Sequence, residues 1–437
     1  MIVVAALLRF DTLGARPLWS DERAVAAFVA QAEWEGFARA SSPAGPKSPR
    51  TEAQLSPLHV ALAYASAHRF GGSPAALRLP SVLAGVATAA LVIALGRALW
   101  GGPVGLVAGA LFAISPYQIE YAQDARSYAL FVALATAQLG AWLLFLQTRR
   151  GAWLVAFAVA GAASLYAHHL ALVNQAALAA LAGATALRGR IARDSANRAR
   201  AFTGREAGLV ALAFAAIALL YLPQLPNARG FLRSGVANAL VVLAPSPRFV
   251  HELAGRWGCG RGAAAWLYEA AFVAGVFSGW RTGRPVLALL AWILCPIVVF
   301  SVVPFSKFFD LRYLMAGQPA FLQLVAAGAV ACIEEAERRL RSSAPAHART
   351  ASLALASLLL LAFAVPAARA HLSLRRLPLR CSEFFLEPRI LDLASGACRR
   401  YLVLNTLVPE DRYLLRVVAS AAVDGSAEAV PRGPESR

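Results

Sequence analysis

The sequence predicts an all-α polytopic membrane protein, a bundle of about eleven transmembrane helices followed by a small extracytoplasmic C-terminal tail. Three observations carry that expectation. The chain is 59% hydrophobic and 15% charged, against roughly half and a quarter in an ordinary soluble domain, and its mean hydropathy is +0.57. Apolar runs of roughly 20 residues, the length that crosses a bilayer as a helix, recur along most of the 437 residues. The period-two alternation of barrel strands does not occur, and Ala/Leu runs dominate instead.

The net charge of +18 invites a nucleic-acid reading, which its distribution opposes. The basic residues sit in short loops between apolar runs, the pattern of the positive-inside bias, so no nucleic-acid partner is expected. The five cysteines show no CxxC pair or metal-ligand spacing, and Cys295 and Cys332 lie in apolar runs as inert core residues.

Taken in order, "MIVVAALLRF" offers about nine apolar residues, roughly 13 Å of helix, too short to span. It has no small-residue cleavage site, so either the start lies upstream or the first helix is a stub. A polar stretch from Asp11 to Ser56 follows, and then "SPLHVALAYASAHRFGG", whose helix at 57–70 is expected to lie at the membrane interface. Full-length spans are expected near 77–99, 104–116, 128–147, 151–167, 170–187, 207–224, 264–280, 285–304, 314–333 and 351–369. This divides the chain into a transmembrane domain, 1–369, and a tail, 370–437. No internal repeat stands out.

Orientation follows from arginine. "QTRRG" at 147–151, the 188–206 loop with six arginines against two acids, "RTGR" at 281–284 and "EEAERRLRSSAPAHART" at 334–350 alternate with acid-bearing loops. With these four in the cytoplasm, the N-terminus is inside and the C-terminus outside. Segments 11–56, 117–127, 168–169, 225–263, 305–313 and the tail then share the outer face. In that oxidising space a Cys381–Cys398 disulfide is an open alternative to two ordinary thiols.

The outer-face segments hold the chemistry. They carry the adjacent acids Asp21 and Glu22; Glu120, Asp124, Arg126 and Tyr128 in "SPYQIEYAQDARSY"; His168 and His169 in "LYAHHLAL"; and Lys307, Asp310, Arg312 and Tyr313 in "PFSKFFDLRYL". Any one of them, Glu120 or Lys307 for instance, reads equally as a helix-end charge snorkelling to water. Four clusters on one face point instead to a site. Carboxylates at the rim suit general-base work on a hydroxyl or amine. Arg and Lys nearby suit a phosphate, Arg bidentately and Lys as a point charge. A lipid-linked phosphosugar needs both.

"LGARPLWSDE", "SPLHVAL", "FGGSPAALRLPSVLAG", "GRALWGGPVGLVAGALFAISPYQIEYAQDARSYAL" and the late "DLRYLMAGQPA" resemble the protein-O-mannosyltransferase-like bacterial glycosyltransferases. These have the GT-C fold and include lipid A aminoarabinose and galacturonosyl transferases. The resemblance is strong over about 1–190, returns near 306–320 and is weak in the tail. It implies Asp21 as general base, Glu22 beside it positioning the acceptor, and Asp124 as a second acid facing the same cavity. It implies Arg126 and Tyr128 as orienting or donor-touching groups, Arg312 and Tyr313 as donor-phosphate ligands, and His168 at a position where relatives carry histidine. Some GT-C members bind a divalent metal through such carboxylates; no added His/Asp cluster demands one here, and no cofactor is expected.

The expected activity is thus transfer of one hexosyl or pentosyl unit from a polyprenyl-phosphate donor to a lipid, glycan or protein acceptor, with inversion. It would take place on the extracytoplasmic face of a bacterial inner membrane. Cations at 126, 307 or 312 would stabilise the departing phosphate. The alternative is a transporter or flippase of lipid-linked sugars, for which one expects interrupted helices, midplane charges and matching halves; the charges here lie at the rim.

Overall fold

The computed structural model describes residues 1–16, 18, 20–31, 56–191, 202–230, 241–258, 263–303, 309–343, 345–375, 406–407 and 415–417. Lys307, Cys381 and Cys398 lie outside the described residues.

Helices account for nearly all of it, in the order α1 (Ile2–Phe10), α2 (Ser20–Gln31), α3 (Pro57–Phe70), α4 (Pro74–Trp100), α5 (Gly102–Ile114), α6 (Pro116–Ala122), α7 (Tyr128–Thr148), α8 (Ala152–Ala167), α9 (Ala171–Ile191) and α10 (Gly204–Tyr221). There follow a short strand β1 (Val241–Leu243), α11 (Pro247–Trp257), α12 (Ala263–Arg281), α13 (Val286–Val302) and β2 (Phe309–Asp310). A 3-10 turn (Leu311–Gly317) leads into α14 (Gln318–Ser343) and α15 (Pro345–Arg375), and two short strands, β3 (Thr406–Leu407) and β4 (Leu415–Val417), come last.

Helix starts are written in the sequence. Ser-Pro opens α3, α4, α6 and α11. Proline fits the first turn because its missing N–H has no partner there anyway, and serine at the preceding position accepts from a free amide. Ser73, Ser115 and Ser246 do so for Ala76, Gln118 and Phe249. At α10 a full capping box pairs Thr203 with Glu206.

Helices stand at all ten places where spans were expected. Among the described residues five are long and apolar enough to cross a membrane: Pro74–Trp100, Tyr128–Thr148, Gly204–Gly230, Leu311–Ser343 and Thr350–Arg369. A sixth arises if α5 and α6, bent by 60° at Ser115, count as one broken span. α8, α9 up to Leu187, and α13 are apolar but shorter. The helix expected at the interface, α3, is too short to cross, yet it is packed into the bundle, with Val60 and Ala63 fully buried. The short helix α1 likewise docks on α4 and α5. Arg9 reaches from it to donate to the Ala113 and Phe112 carbonyls at the end of α5, at 3.0 and 3.2 Å, and to Ala5 on its own helix. Among the described residues the Phe112 carbonyl otherwise receives only the long 3.3 Å bond from the Ser115 amide, so the guanidinium caps the helix end.

The closest helix contact is α12 on α14. A Cβ on Gly275 would fall 1.8 Å from the Leu324 carbonyl oxygen, and one on Gly328 would fall 1.9 Å from that of Ala271. Small residues four apart let the two backbones touch, the usual means of close helix association where lipid removes the hydrophobic drive. Amide side chains tie other helices. Gln138 and Gln175 exchange two hydrogen bonds, at 2.8 and 2.9 Å, between α7 and α9. Gln323 donates to Val92 on α4 at 2.6 Å.

The chain runs alternately up and down, so the arginine-bearing turns at 148–151, 281–285 and the start of α10 all fall at one end of the bundle. Arg149 pairs with Glu206 there at 3.6 Å. The turns expected on the outer face gather at the other end. Tail strand β4 pairs antiparallel with β1 (Val241 opposite Val417) and β3 with β2 (Phe309 opposite Leu407), which brings these pieces of tail to that same end.

Replacing Gly328 with Ala should lower the midpoint of thermal unfolding in detergent, since overpacking against backbone costs about 1–3 kcal/mol or more. Gly183→Ala, with open space at its Cβ, should leave the midpoint where it is.

Candidate functional site

At the polar end, the acidic pair divides its labour. Both residues sit in the first turn of α2, where the helix dipole favours negative charge, but they point into different surroundings. Glu22 is completely buried. Its two oxygens take a fork of bonds from Arg78 on α4, Nε to Oε1 and Nη2 to Oε2, both at 2.7 Å. Oε1 also accepts the Ala125 amide at 2.8 Å. Arg78 uses its other nitrogen, Nη1, on the carbonyls of Leu13 and Arg16, at 2.8 and 3.0 Å. Five bonds therefore join the first loop, α2, α4 and the loop after α6.

Asp21 is left facing outward, 32% exposed, with one oxygen 3.6 Å from Arg126. That separation is a loose ion pair, which leaves the carboxylate able to exchange partners. Asp124, two residues before Arg126, is buried at 1% exposure. The loop that carries these residues is pinned on both sides. The Gln123 amide donates to the Asp11 and Arg9 carbonyls at 2.6 and 3.2 Å, and Ser81 donates to the Arg126 carbonyl at 3.0 Å.

Tyr128, at the start of α7, is the hub of the aromatic side. The Arg312 guanidinium lies 5.2 Å from its ring centre, a cation–π distance. The His168 ring lies 5.0 Å away and that of Tyr121 5.6 Å. Arg312 also lies 5.9 Å from Tyr313, whose ring packs near Phe300. The turn bearing Arg312 and Tyr313 is held by Trp292, whose indole donates to the Ala316 carbonyl at 2.8 Å. The residue after that turn, Gln318, donates to Trp257 and Ser115 and accepts from Gln118.

Three histidines complete the cluster. His168 accepts the Leu170 amide on Nδ1 at 3.1 Å, which places its proton on Nε2. His169 borders a small cleft, with room for about one water, shared with Pro57, Leu165, Tyr221, Gln224, Asn227 and Ala228. His59, on the first turn of α3, is 1% exposed. Burial, reinforced by Arg126, pushes His59 down to about 4 and His169 to about 3. His168 is held well below the ordinary histidine value by burial and by His169, Arg126, Arg312 and His59. All three are neutral at pH 7. Among the described residues no group of three His, Cys, Asp or Glu stands together as a metal site.

Of the residues singled out from the sequence, Asp21 and Arg126 form one contact and Tyr128, His168, Arg312 and Tyr313 another. His168 responds to the charges of both Arg126 and Arg312, so the two groups adjoin. Sequence reasoning did not single out Arg78, an arginine lost inside an apolar run, or His59, a histidine inside what reads as an ordinary amphipathic helix. The one signal for Arg78 was a charge inside an expected span with no acid near it in sequence to pair with.

Comparison with solved structures decides the architecture. ArnT from Cupriavidus metallidurans, in the apo state and bound to undecaprenyl phosphate, superposes with a TM-score of 0.57 at 17% identity over 85% of this chain and 74% of its own. The Archaeoglobus fulgidus oligosaccharyltransferase gives 0.57 at 16% identity over 85% of this chain and 55% of its own. The same organism's oligosaccharyltransferase AglB, in complex with an inhibitory peptide and a dolichol-phosphate, gives 0.56 at 12% over 99% and 61%. The fold is GT-C. Residues 54–215 match the family described as dolichyl-phosphate-mannose-protein mannosyltransferase. No curated protein matches the chain by sequence. The matched segment takes in α3 to α9 and so holds Arg78, Asp124, Arg126, Tyr128 and His168; Asp21 and Arg312 come to it from either side. The chain is shorter than each of these GT-C proteins, spanning just over half of the archaeal enzyme in its apo form.

Breaking the buried pair leaves an uncompensated charge, at a cost of about 3–5 kcal/mol. Arg78→Met and Glu22→Gln should each lower the unfolding midpoint sharply, and the double variant Glu22→Met/Arg78→Met should lose less than the sum of the two. Acid should act through the histidines. The unfolded chain protonates histidine near 6.5 while the folded one refuses the proton. Stability is then complete above about pH 6.5 and declines towards pH 4. For His59 alone the decline amounts to about 3 kcal/mol. A thermal melt series between pH 7 and pH 4 measures it, and His59→Phe should flatten the slope.

Proposed function

We propose that this GT-C chain is a membrane glycosyltransferase that moves a single sugar from a polyprenyl-phosphate donor to a lipid, glycan or protein acceptor, with inversion. The site would lie on the extracytoplasmic face of the inner membrane. The observation that carries the reading is the juxtaposition of an outward-facing carboxylate, Asp21, with two guanidinium groups, Arg126 and Arg312, at one end of an apolar bundle. A polyisoprenoid lipid with a charged headgroup would present that headgroup at the end of such a bundle. Undecaprenyl phosphate is bound by ArnT from C. metallidurans and dolichol-phosphate by AglB, which supports a donor of that class here.

The roles follow from the surroundings. Asp21 takes the proton of the acceptor hydroxyl or amine as the new bond to the anomeric carbon forms. Arg312, backed by Tyr128 and Tyr313, and Arg126, drawn from Asp21 as the donor phosphate arrives, hold the phosphate and absorb the charge that develops as the glycosidic oxygen leaves. His168 offers its Nε2–H to the same phosphate. Lys307, close in sequence to Arg312, joins them. Asp124, buried two residues before Arg126, is the second acid of the site in this reading. Glu22 does not act on substrate in this reading: its oxygens are committed to Arg78 and Ala125, and it positions Asp21. The leaving phosphate departs as a stable anion, so no strong general acid is required.

The decisive measurement is sugar transfer in membranes supplied with a radiolabelled polyprenyl-phosphate sugar. Asp21→Asn should cut transfer by about 10²–10⁴-fold, the scale of a general base, with the protein level unchanged. Transfer near the parent rate would remove Asp21 from the chemistry. A thiol introduced at position 120 should react with a membrane-impermeant reagent from outside, while one at 196 should not.

A further inference from the structure

We propose that His59 and the N-terminus of α3 form a seat for the phosphate of the lipid donor, so that His59 binds the oxyanion directly. This rests on the reading of the site as one that takes a polyprenyl phosphate.

Two independent observations converge on the place. The first is the helix end itself. α3 has fourteen residues and begins at Ser56-Pro57, like three other helices, but its serine does not cap it. The Ser56 hydroxyl donates instead to Ser127 on the loop after α6, at 3.2 Å. The Leu58 and His59 amides at this end therefore have no side-chain cap. The positive end of the helix dipole is turned towards the loop that carries Arg126, an arrangement that favours an anion.

The second observation is the His59 side chain. It is nine-tenths and more buried, and neither ring nitrogen makes a hydrogen bond among the described residues. The ring approaches the Ala125 backbone without closing a bond of normal geometry. A residue on the first turn of a helix leans towards the N-terminus, which directs His59 to the same loop. Buried polar groups are ordinarily satisfied, and one that is not calls for an explanation such as a ligand. An imidazole kept neutral offers one N–H donor and one acceptor, which suits a phosphate oxygen on one side and a hydroxyl or backbone group on the other. The groups facing it, the Arg126 guanidinium from the loop and the neutral His168 from the end of α8, are those already assigned to the donor phosphate. His169 and Pro57, the latter two residues from His59, border a small adjoining cleft.

The test is binding of undecaprenyl phosphate to the full chain in nanodiscs, with undecaprenol and inorganic phosphate as the two control ligands. His59→Phe keeps the ring and removes both nitrogens; His59→Gln keeps an N–H donor. The expected result is that His59→Phe unfolds at the parent temperature or above it while its Kd for undecaprenyl phosphate rises about tenfold. His59→Gln should stay within about threefold of the parent, and undecaprenol should not distinguish the three proteins. Inorganic phosphate that competes with the lipid in the parent and fails to compete in His59→Phe places the headgroup, and not the chain, on the seat. If Arg312→Gln weakens binding while His59→Phe binds like the parent, the seat is wrong and the donor reading stands. A His59→Phe protein that melts lower than the parent means His59 has a structural partner, which also overturns the seat. If the parent itself does not prefer undecaprenyl phosphate to undecaprenol, the donor reading falls and the seat with it.

Discussion

The Arg78–Glu22 pair is the interaction on which the rest of the polar end depends. It is buried, forked and saturated: the carboxylate receives three bonds and the guanidinium makes four. A pair of this kind brings little net stability over a well-packed apolar replacement, because both ions were stripped of water to form it. What it brings is geometry. The two partners come from α2 and α4, and their spare valences hold the Leu13 and Arg16 carbonyls on one side and the Ala125 amide on the other. One salt bridge thus sets the position of the first loop against the loop after α6. Lysine could not replace Arg78, since a point charge lacks the planar fork that serves Glu22 and two carbonyls at once. With Glu22 fixed on the inner side of the helix turn, its neighbour Asp21 is presented outward, towards Arg126.

The same constraint explains how the short apolar helix at the N-terminus enters the architecture. α1 is too short to cross a bilayer, and from composition alone it has no task. Arg9 gives it one, capping the end of α5 while the carbonyls at the end of α1 receive the Gln123 amide. The bend at Ser115, where α5 gives way to α6, is therefore supported from two directions: Arg9 below, and Gln318 donating to the Ser115 hydroxyl. Irregular backbone at membrane depth is tolerated where protein satisfies it. Here it carries the loop that holds Asp124, Arg126 and Tyr128.

Much of this was legible in the sequence, and the limits have physical causes. Apolar length located eight of the ten helices to within four residues at each end, because a span must bury its backbone whatever its neighbours do, while α14 and α15 run six to ten residues past their apolar stretches. Arginine placement separated the two ends of the bundle. The adjacency of Asp21 and Glu22 suggested a common role, but two residues in one helical turn point about 100° apart, so one lands in the core and the other at the opening. Arg78 and His59 were illegible for a related reason. Whether a lone polar residue in an apolar helix is a clamp, a ligand or a snorkelling charge depends on which helix it meets, and that is a fact of tertiary packing. Span number was blurred by the same cause: α8, α9 and α13 are short and apolar, and their depth is set by packing against longer partners.

The electrostatics of the site follow from this division. Five groups that could each carry positive charge, Arg126, Arg312 and three histidines, stand close enough to influence one another. Were all protonated they would repel across a low-dielectric interior, and the fold would hold them apart only at great cost. Burial settles the matter by keeping the histidines neutral, which leaves two arginines as fixed charge and the imidazoles as dipolar hydrogen-bonding groups. The arginines are themselves tempered, Arg126 by Asp21 and Arg312 by the face of Tyr128. In the proposed reading an incoming phosphate diester would bring negative charge to this assembly and compete with Asp21 for Arg126. The carboxylate would then be released to act on the acceptor only with the donor in place, and ordered binding would follow from one shared guanidinium.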